Sequence, residues 1–419
     1  MNRRGAEGGF TVTEMLVSVL ITSIVILAAS MLFDFNRRVA TSEIQVADLQ
    51  QSLRAGLREV TKTVRVAGRG GMPASIDEGN GSGNDVFRAA SGAVEILNNV
   101  TDANRTLVAG GVKALRGSDV LIVRGVLEGA VVRAEPPTYN NSDLSLATGG
   151  TIVINRNTAV VVDQDLADLT DAVTDGSADP AIIMQSTPSE PYIVAEIFSG
   201  GSSATSDQVS VRFGLSGGTH SADYRALWTD DANEDALALA DGAYVGVLRE
   251  RRFFVYNASG NDSDESSPTA IEPVLGYLDF YPGTSTAVNN NPTPIANGIY
   301  DLQVALGFDS TNDPTGAQPI PMTVWESDDG LNDDWLFNAA GETDAAAPWR
   351  GASLDVVAPL RYIRISVVGI ADRPDPYYEG DPVTALEDRA YGTDAVLNSP
   401  TALSYQRRLL TSQISVRNL

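Results

Sequence analysis

Carboxylates dominate the residues that could do chemistry. Three stretches concentrate them: SGNDSDESSP (259–268), FDSTNDPTG (308–316) and WESDDGLNDDW (325–335). Calcium takes roughly six to eight oxygen ligands, which loops of this kind can supply. Asp309, Asp313, Asp328 and Asp329 are the candidate ligands. None of the three stretches follows the spacing of an EF-hand loop, and acidic loops in an acidic chain are ordinarily solvated charge. A carboxylate pair could also cleave a glycosidic bond. With 54 Asp and Glu in the chain, however, pairs arise by chance.

The remaining chemistry is sparse. The single histidine, His220, stands in SGGTHSADY. A Ser-His-Asp triad would have to use it, and no G-x-S-x-G elbow accompanies it, so it reads as a loop residue. The chain has no cysteine, which excludes disulfides, thiolate metal sites and a thiol nucleophile. There is no phosphate-binding glycine loop and no zinc spacing. The expectation is a chain that is not an enzyme and holds no resident cofactor, with calcium as the one ion its loops could take.

One carboxylate stands apart. Glu14 lies in GGFTVTEMLVSVLITSIVILAAS (8–30), and from Met15 to Phe33 no residue is charged. That run is close to the ~20 residues that cross a bilayer as a helix. Arg3 and Arg4 precede it, which predicts a cytoplasmic N-terminus and an exported remainder. A signal anchor fits these facts. A cleaved secretory signal fits less well, because the run exceeds the usual apolar core of such signals and the helical pattern continues past it. Neither accounts for Glu14, since a carboxylate inside a membrane helix costs several kcal/mol unless it is paired.

The elements that would position these residues begin with a helix. Val46, Leu49, Leu53, Leu57, Val60 and Val64 form one apolar stripe at helical spacing. Arg54, Arg58, Glu59 and Lys62 lie off it, and Gly56 weakens the helix slightly. GRGGMP (68–73) should end it. A helix from Phe10 to about Ala67 would be ~87 Å long, apolar all round in its first half and one-sided in its second.

Downstream, short β-rich runs alternate with Gly/Ser/Asn/Asp/Pro segments. They are 119–126, 129–134, 151–163, 191–198, 207–213, 243–256, 298–308, 361–370 and 412–418. Stretches 76–85, 164–180 and 257–270 read as exposed loops. The expected fold is α+β: one long N-terminal helix, its first half transmembrane, packed on antiparallel sheet, with an inserted second β subdomain. Charge divides along the same line. Through Gly68 there are eight Lys/Arg against six Asp/Glu, whereas the rest has 21 against 48. The downstream surface should therefore repel nucleic acid and anionic lipid.

GGFTVTEML resembles the prepilin signal of type IV pili and type II secretion. The resemblance implies peptidase cleavage between Gly9 and Phe10, N-methylation of Phe10, and a subunit-assembly role for Glu14. Cleavage would create a positive amine at Phe10, with which a neighbouring subunit's Glu14 could pair inside an apolar fibre core. A second resemblance lies in NGIYDLQVALGFD (297–309), DDWLFNAAG (333–341), APLRYIRISVVGIADR (358–373) and YQRRLLTSQISVRNL (405–419), with VRVAGRGGMP (64–73) at the helix exit. Together these are similar to PilW-type minor pilins. They cover roughly 1–75 and 297–419, while 76–296 matches nothing in that pattern.

The resemblance implies a division into leader (1–9), transmembrane helix (10–33), amphipathic continuation (34–68), a β-rich middle (72–296) and a PilW-like C-terminal region (297–419). It implies a minor pilin that helps initiate pilus assembly near the tip and supports adhesion or twitching motility. Partners would be the major and other minor pilins, the prepilin peptidase, the inner-membrane assembly platform and a tip adhesin, with no nucleic acid. The location would be the inner membrane with a periplasmic body, then the fibre at the cell surface. A J-type pseudopilin of type II secretion shares the signal. A pilin-anchored enzyme or binding module would have to reside in the middle.

Overall fold

The computed structural model describes residues 11–70, 72, 93–108, 111–133, 150–155, 166–174, 180–185, 192–214, 218–225, 227, 244–260, 271–309, 334–337, 360–375, 378–387, 389–392 and 395–415. Helix α1 (Val12–Val64) runs unbroken through 53 residues. It stops just short of the glycine signal, and a turn at 65–70 follows, with Gly68 and Gly70 at positive φ. The strands are β1 (Val94–Leu97), β2 (Val120–Gly125), β3 (Val132–Arg133), β4 (Gly150–Asn155), β5 (Ala181–Gln185), β6 (Tyr192–Ile197), β7 (Ser203–Ala204), β8 (Gln208–Gly214), β9 (Tyr244–Asn257), β10 (Pro273–Phe280), β11 (Thr293–Asn297), β12 (Ile299–Asp309), β13 (Asp334–Phe337), β14 (Leu360–Pro374), β15 (Ala385–Leu386), β16 (Arg389–Ala390) and β17 (Tyr405–Ser415). Three short helices join them: α2 (Ala167–Thr174), α3 (Ser221–Arg225) and α4 (Ala395–Asn398). A long helix on antiparallel sheets makes the chain α+β.

All the paired strands are antiparallel. Strands β13-β12-β14-β17 form one sheet in that order, and the four stretches from residue 297 onward quoted above contribute one strand each. A larger sheet follows the path β1-β2-β9-β5-β6-β8-β4, with β3, β7, β10 and β11 attached to it.

Strand β9 changes partners half-way. Its first residues pair with β3 and β5 (Val245↔Val132, Leu248↔Ala181), its later ones with β2 and β10 (Phe253↔Leu121, Val255↔Leu275). Two cores result. Leu49, Leu53, Leu57, Val60 and Val64 of α1 pack with Phe253, Leu275, Leu302, Ile365 and Val367. A second core gathers Ile152, Ile183, Tyr192, Val211, Phe213 and Val245, among others.

The docked half of α1 is the predicted stripe, with Val46 half-buried at its start. Gly56, read above as a weak point, is a contact. A Cβ there would stand 2.9 Å from Leu275 Cδ2 and 3.4 Å from Ala296 Cβ, so its absence lets the helix approach β10 and β11. Residues 164–180, expected as an exposed loop, contain α2 instead, with Leu166, Leu169 and Val173 buried in the second core. Their i, i+3, i+7 spacing is one helical face. The closing strand begins at Tyr405 rather than 412. Stretch 76–85 and most of 257–270 lie outside the described residues.

Candidate functional site: the uncovered apolar helix and its cap

Among the described residues, the first half of α1 has no packing partner within the chain. Leu16 is 65% exposed, Ile24 58%, Leu27 57% and Phe33 74%. The most apolar window of the helix has a mean hydropathy of 2.6 and is 0% buried, so by length and composition it can cross a membrane. Three of its hydroxyls bond back to the helix: Thr22 donates to the Ser18 carbonyl (2.8 Å), Ser23 to Val19 (2.8 Å) and Ser30 to Ile26 (2.9 Å). Such back-bonding leaves these three hydroxyls with no need of water, which an apolar medium requires. Burying side chains of this size is worth about 1.5–3 kcal/mol each, so a lipid or a neighbouring helix is the environment they favour.

Glu14 closes the N-terminal end. Its Oε2 accepts from the Thr11 backbone N–H and from Thr11 Oγ1, both at 2.9 Å, and the Glu14 N–H donates back to Thr11 Oγ1 at 3.3 Å. This reciprocal pairing is a capping box. The sequence carries this signal as T-V-T-E (11–14), a Ser/Thr followed three residues later by Glu. Both bonds fall on Oε2, which leaves Oε1 for another donor. Gly9 and Phe10, the expected cleavage and methylation positions, lie outside the described residues.

The calcium candidates are not brought together by anything described. Asp309 ends β12 opposite Asp334 of β13, and its side chain lies outside the described residues, as do Asp313, Asp328 and Asp329 entirely. Among the described residues no group of three or more His, Asp or Glu is placed to hold a metal. His220 stacks on Tyr281 with ring centroids 4.5 Å apart. Beside it, the buried Glu196 carboxylate accepts from Ser221 Oγ (2.7 Å) and from the backbone N–H groups of Thr219 (2.8 Å) and His220 (3.0 Å). The Ser221 hydroxyl therefore serves Glu196 at the start of α3 rather than the imidazole.

Sequence reasoning also missed two buried charged clusters. In one, Glu250 is wholly buried where β9 changes partners. It accepts from Arg124 Nε (2.6 Å), Arg252 Nε (2.6 Å) and the Gly283 N–H (2.8 Å). In the other, Asp301 on β12 accepts from Tyr391 Oη and Gln303 Nε2 and forms an ion pair with Arg389 at 2.9 Å. Burial pushes the Asp301 carboxyl above its usual range despite Arg389.

No protein-family model matches the sequence, and no curated protein matches it. Among solved structures, a type IV-like pilin from Thermus thermophilus aligns with 60% of this chain and 92% of its own, at 11% identity and a TM-score of 0.19. That score is too low to carry an argument about this chain, and the architecture above is read from its own strands and helix.

Proposed function

We propose that the chain is a structural minor subunit of a type IV pilus, of the PilW kind. One observation carries the reading. A single helix is uncharged and almost wholly uncovered from Met15 to Phe33, and the same helix is docked into a β core from Leu49 to Val64. Such an element can be held in a membrane and later in a bundle of like helices without refolding the body.

In this reading the leader is removed between Gly9 and Phe10 and the new amine is methylated. The amine at Phe10 then finds the Glu14 of a neighbouring subunit in the fibre core, at the Oε1 position left open by the cap. Pairing offsets the desolvation of both charges, and removing one member of such a buried pair costs about 3–5 kcal/mol. The body faces the periplasm before assembly. The partners are the other minor pilins, the major pilin and the assembly platform, and the position is near the tip.

The test is a Glu14→Ala chain expressed in a strain lacking the wild-type copy. The expected outcome is a correctly shortened protein, seen by mass spectrometry, that no longer enters sheared fibres. Normal entry would sink the pairing. Normal piliation and motility in the deletion strain itself, together with no binding to any other minor pilin, would sink the whole reading.

A further inference from the structure

Six asparagines stand in the N-x-S/T pattern that accepts an N-linked glycan on an exported chain: Asn80, Asn99, Asn104, Asn140, Asn257 and Asn261. Only Asn80 and Asn104 have a carboxylate two positions earlier, Glu78 and Asp102. Bacterial oligosaccharyltransferases read that acid as well as the hydroxyl. Asn80, Asn140 and Asn261 lie outside the described residues. Of the other three, Asn257 is 5% exposed and Asn99 is half-buried, whereas Asn104 is exposed.

Asn104 sits in a turn (101–106) between β1 and β2. Its Oδ1 accepts from the Thr101 backbone N–H (2.6 Å) and from Thr101 Oγ1 (3.2 Å), while Nδ2 makes no hydrogen bond among the described residues. Asp102 is 65% exposed and pairs with Arg116 at 3.0 Å and Arg105 at 3.3 Å. Ion pairs at so exposed a carboxylate contribute little, so it can exchange partners. Thr106 is exposed too. The turn also has a definite side. Successive residues of a strand point to opposite faces of a sheet. Leu121 and Val123 of β2, with Phe253 and Val255 of β9, join the core that holds α1. Val120, Ile122 and Phe254 join a third core on the other face, and Val100 and Leu107, which flank the turn, are buried in it. The turn therefore lies on the side of the sheet away from α1.

We propose that Asn104 is an N-glycosylation acceptor, read through Asp102 and Thr106, with a polyprenyl-diphosphate-linked oligosaccharide as the donor. A bond forms between Asn104 Nδ2 and C1 of the first sugar as the bond from C1 to the diphosphate oxygen breaks. The lipid diphosphate leaves, and one amide proton passes to a base of the transferase. The product is a bulky, solubilising group on the surface of the body. In a fibre packed through α1, a group on the face away from that helix projects outward and leaves the helix contacts untouched. The inference rests on the export of the body in the pilus reading, and its test separates the two.

The full-length protein is recovered from the membranes and the sheared fibres of the strain that makes it, and its peptides are mapped by mass spectrometry. The expected result is an oligosaccharide mass on Asn104. Asn104→Gln, Thr106→Ala and Asp102→Ala should each remove it. Thr106→Ser should keep it, because serine also completes the acceptor pattern. All four variants should enter fibres as the wild type does. A bare Asn104 in exported protein overturns the proposal. So does a glycan confined to Asn80 or to hydroxyls, or one on Asn104 that survives Asp102→Ala. Loss of fibre entry in both Asn104→Gln and Thr106→Ala overturns the outward placement. A chain that is never exported overturns the pilus reading and this site with it, whereas a chain that enters fibres bare overturns this site alone.

Discussion

Arg124 Nε donates a 2.6 Å hydrogen bond to Oε2 of Glu250, with both side chains buried, at the point where β9 exchanges β5 for β2. The second arm of the guanidinium reaches Glu95 at 2.7 Å on β1. One arginine thus ties three strands of the sheet across the join between the two cores. Arg124→Ala leaves Glu250 buried with fewer partners and should cost about 3–5 kcal/mol, read as a loss of thermal stability by circular dichroism. Arg124→Lys should recover only part of it, because an ammonium cannot form the same fork.

The same pair sets a pH dependence. Burial would raise the Glu250 carboxyl, but Arg124, Arg252 and the Gly283 N–H hold it below the usual carboxylate range. A carboxyl lowered in the folded state contributes stability that is complete above its unfolded value, about 4.3, and is lost as pH falls through the folded one. Thermal stability should therefore decline below about pH 4, and Glu250→Gln should flatten that decline. Asp301, held above its usual range, works in the opposite sense, so Asp301→Asn should steepen it.

Gly56→Leu tests the close approach of α1 to the sheet. Leu275 Cδ2 would lie 2.9 Å from even the first added carbon. Overpacking of this kind costs about 1–3 kcal/mol, although leucine favours a helix more than glycine does. Hydrogen exchange across 49–64 should speed up. Unchanged protection would show that the helix does not need the contact.

Thr11 and Glu14 separate cap from charge. Glutamine still serves a capping box, so Glu14→Gln should keep the helix start while removing the charge. Thr11→Ala should weaken the start by about 1 kcal/mol and keep the charge. If the pairing with the Phe10 amine governs assembly, Glu14→Gln should lose fibre incorporation and Thr11→Ala should retain most of it, as scored by immunoblot of sheared fibres.

Much of the frame was legible because long-range periodicity survives in the sequence. The stripe from Leu49 to Val64 names the docked face, and the charge-free run to Phe33 names the uncovered half. Alternation marked β8, β12, β14 and part of β17. Strand β5, AIIMQ, is buried in the second core and pairs on both sides, and it offers no period to read. Helix α2 was hidden among the polar residues surrounding Leu166, Leu169 and Val173. The partnership of Arg124 with Glu250 spans 126 positions, and no local pattern records so distant a contact. The T-V-T-E cap was readable; the apolar context drew attention to Glu14 as a charge and away from its neighbour.

The residues that α1 contributes to a core all belong to one of the three; among the described residues, none lies in the other two. The docked half of the helix meets β11, β14 and β17. Tension applied along the helix would therefore enter the four-stranded sheet and β11, which is attached to the larger sheet through β10, first. The second core, reached through β9, hangs beside that load path. Its opening would leave the contacts of α1 with the first core in place.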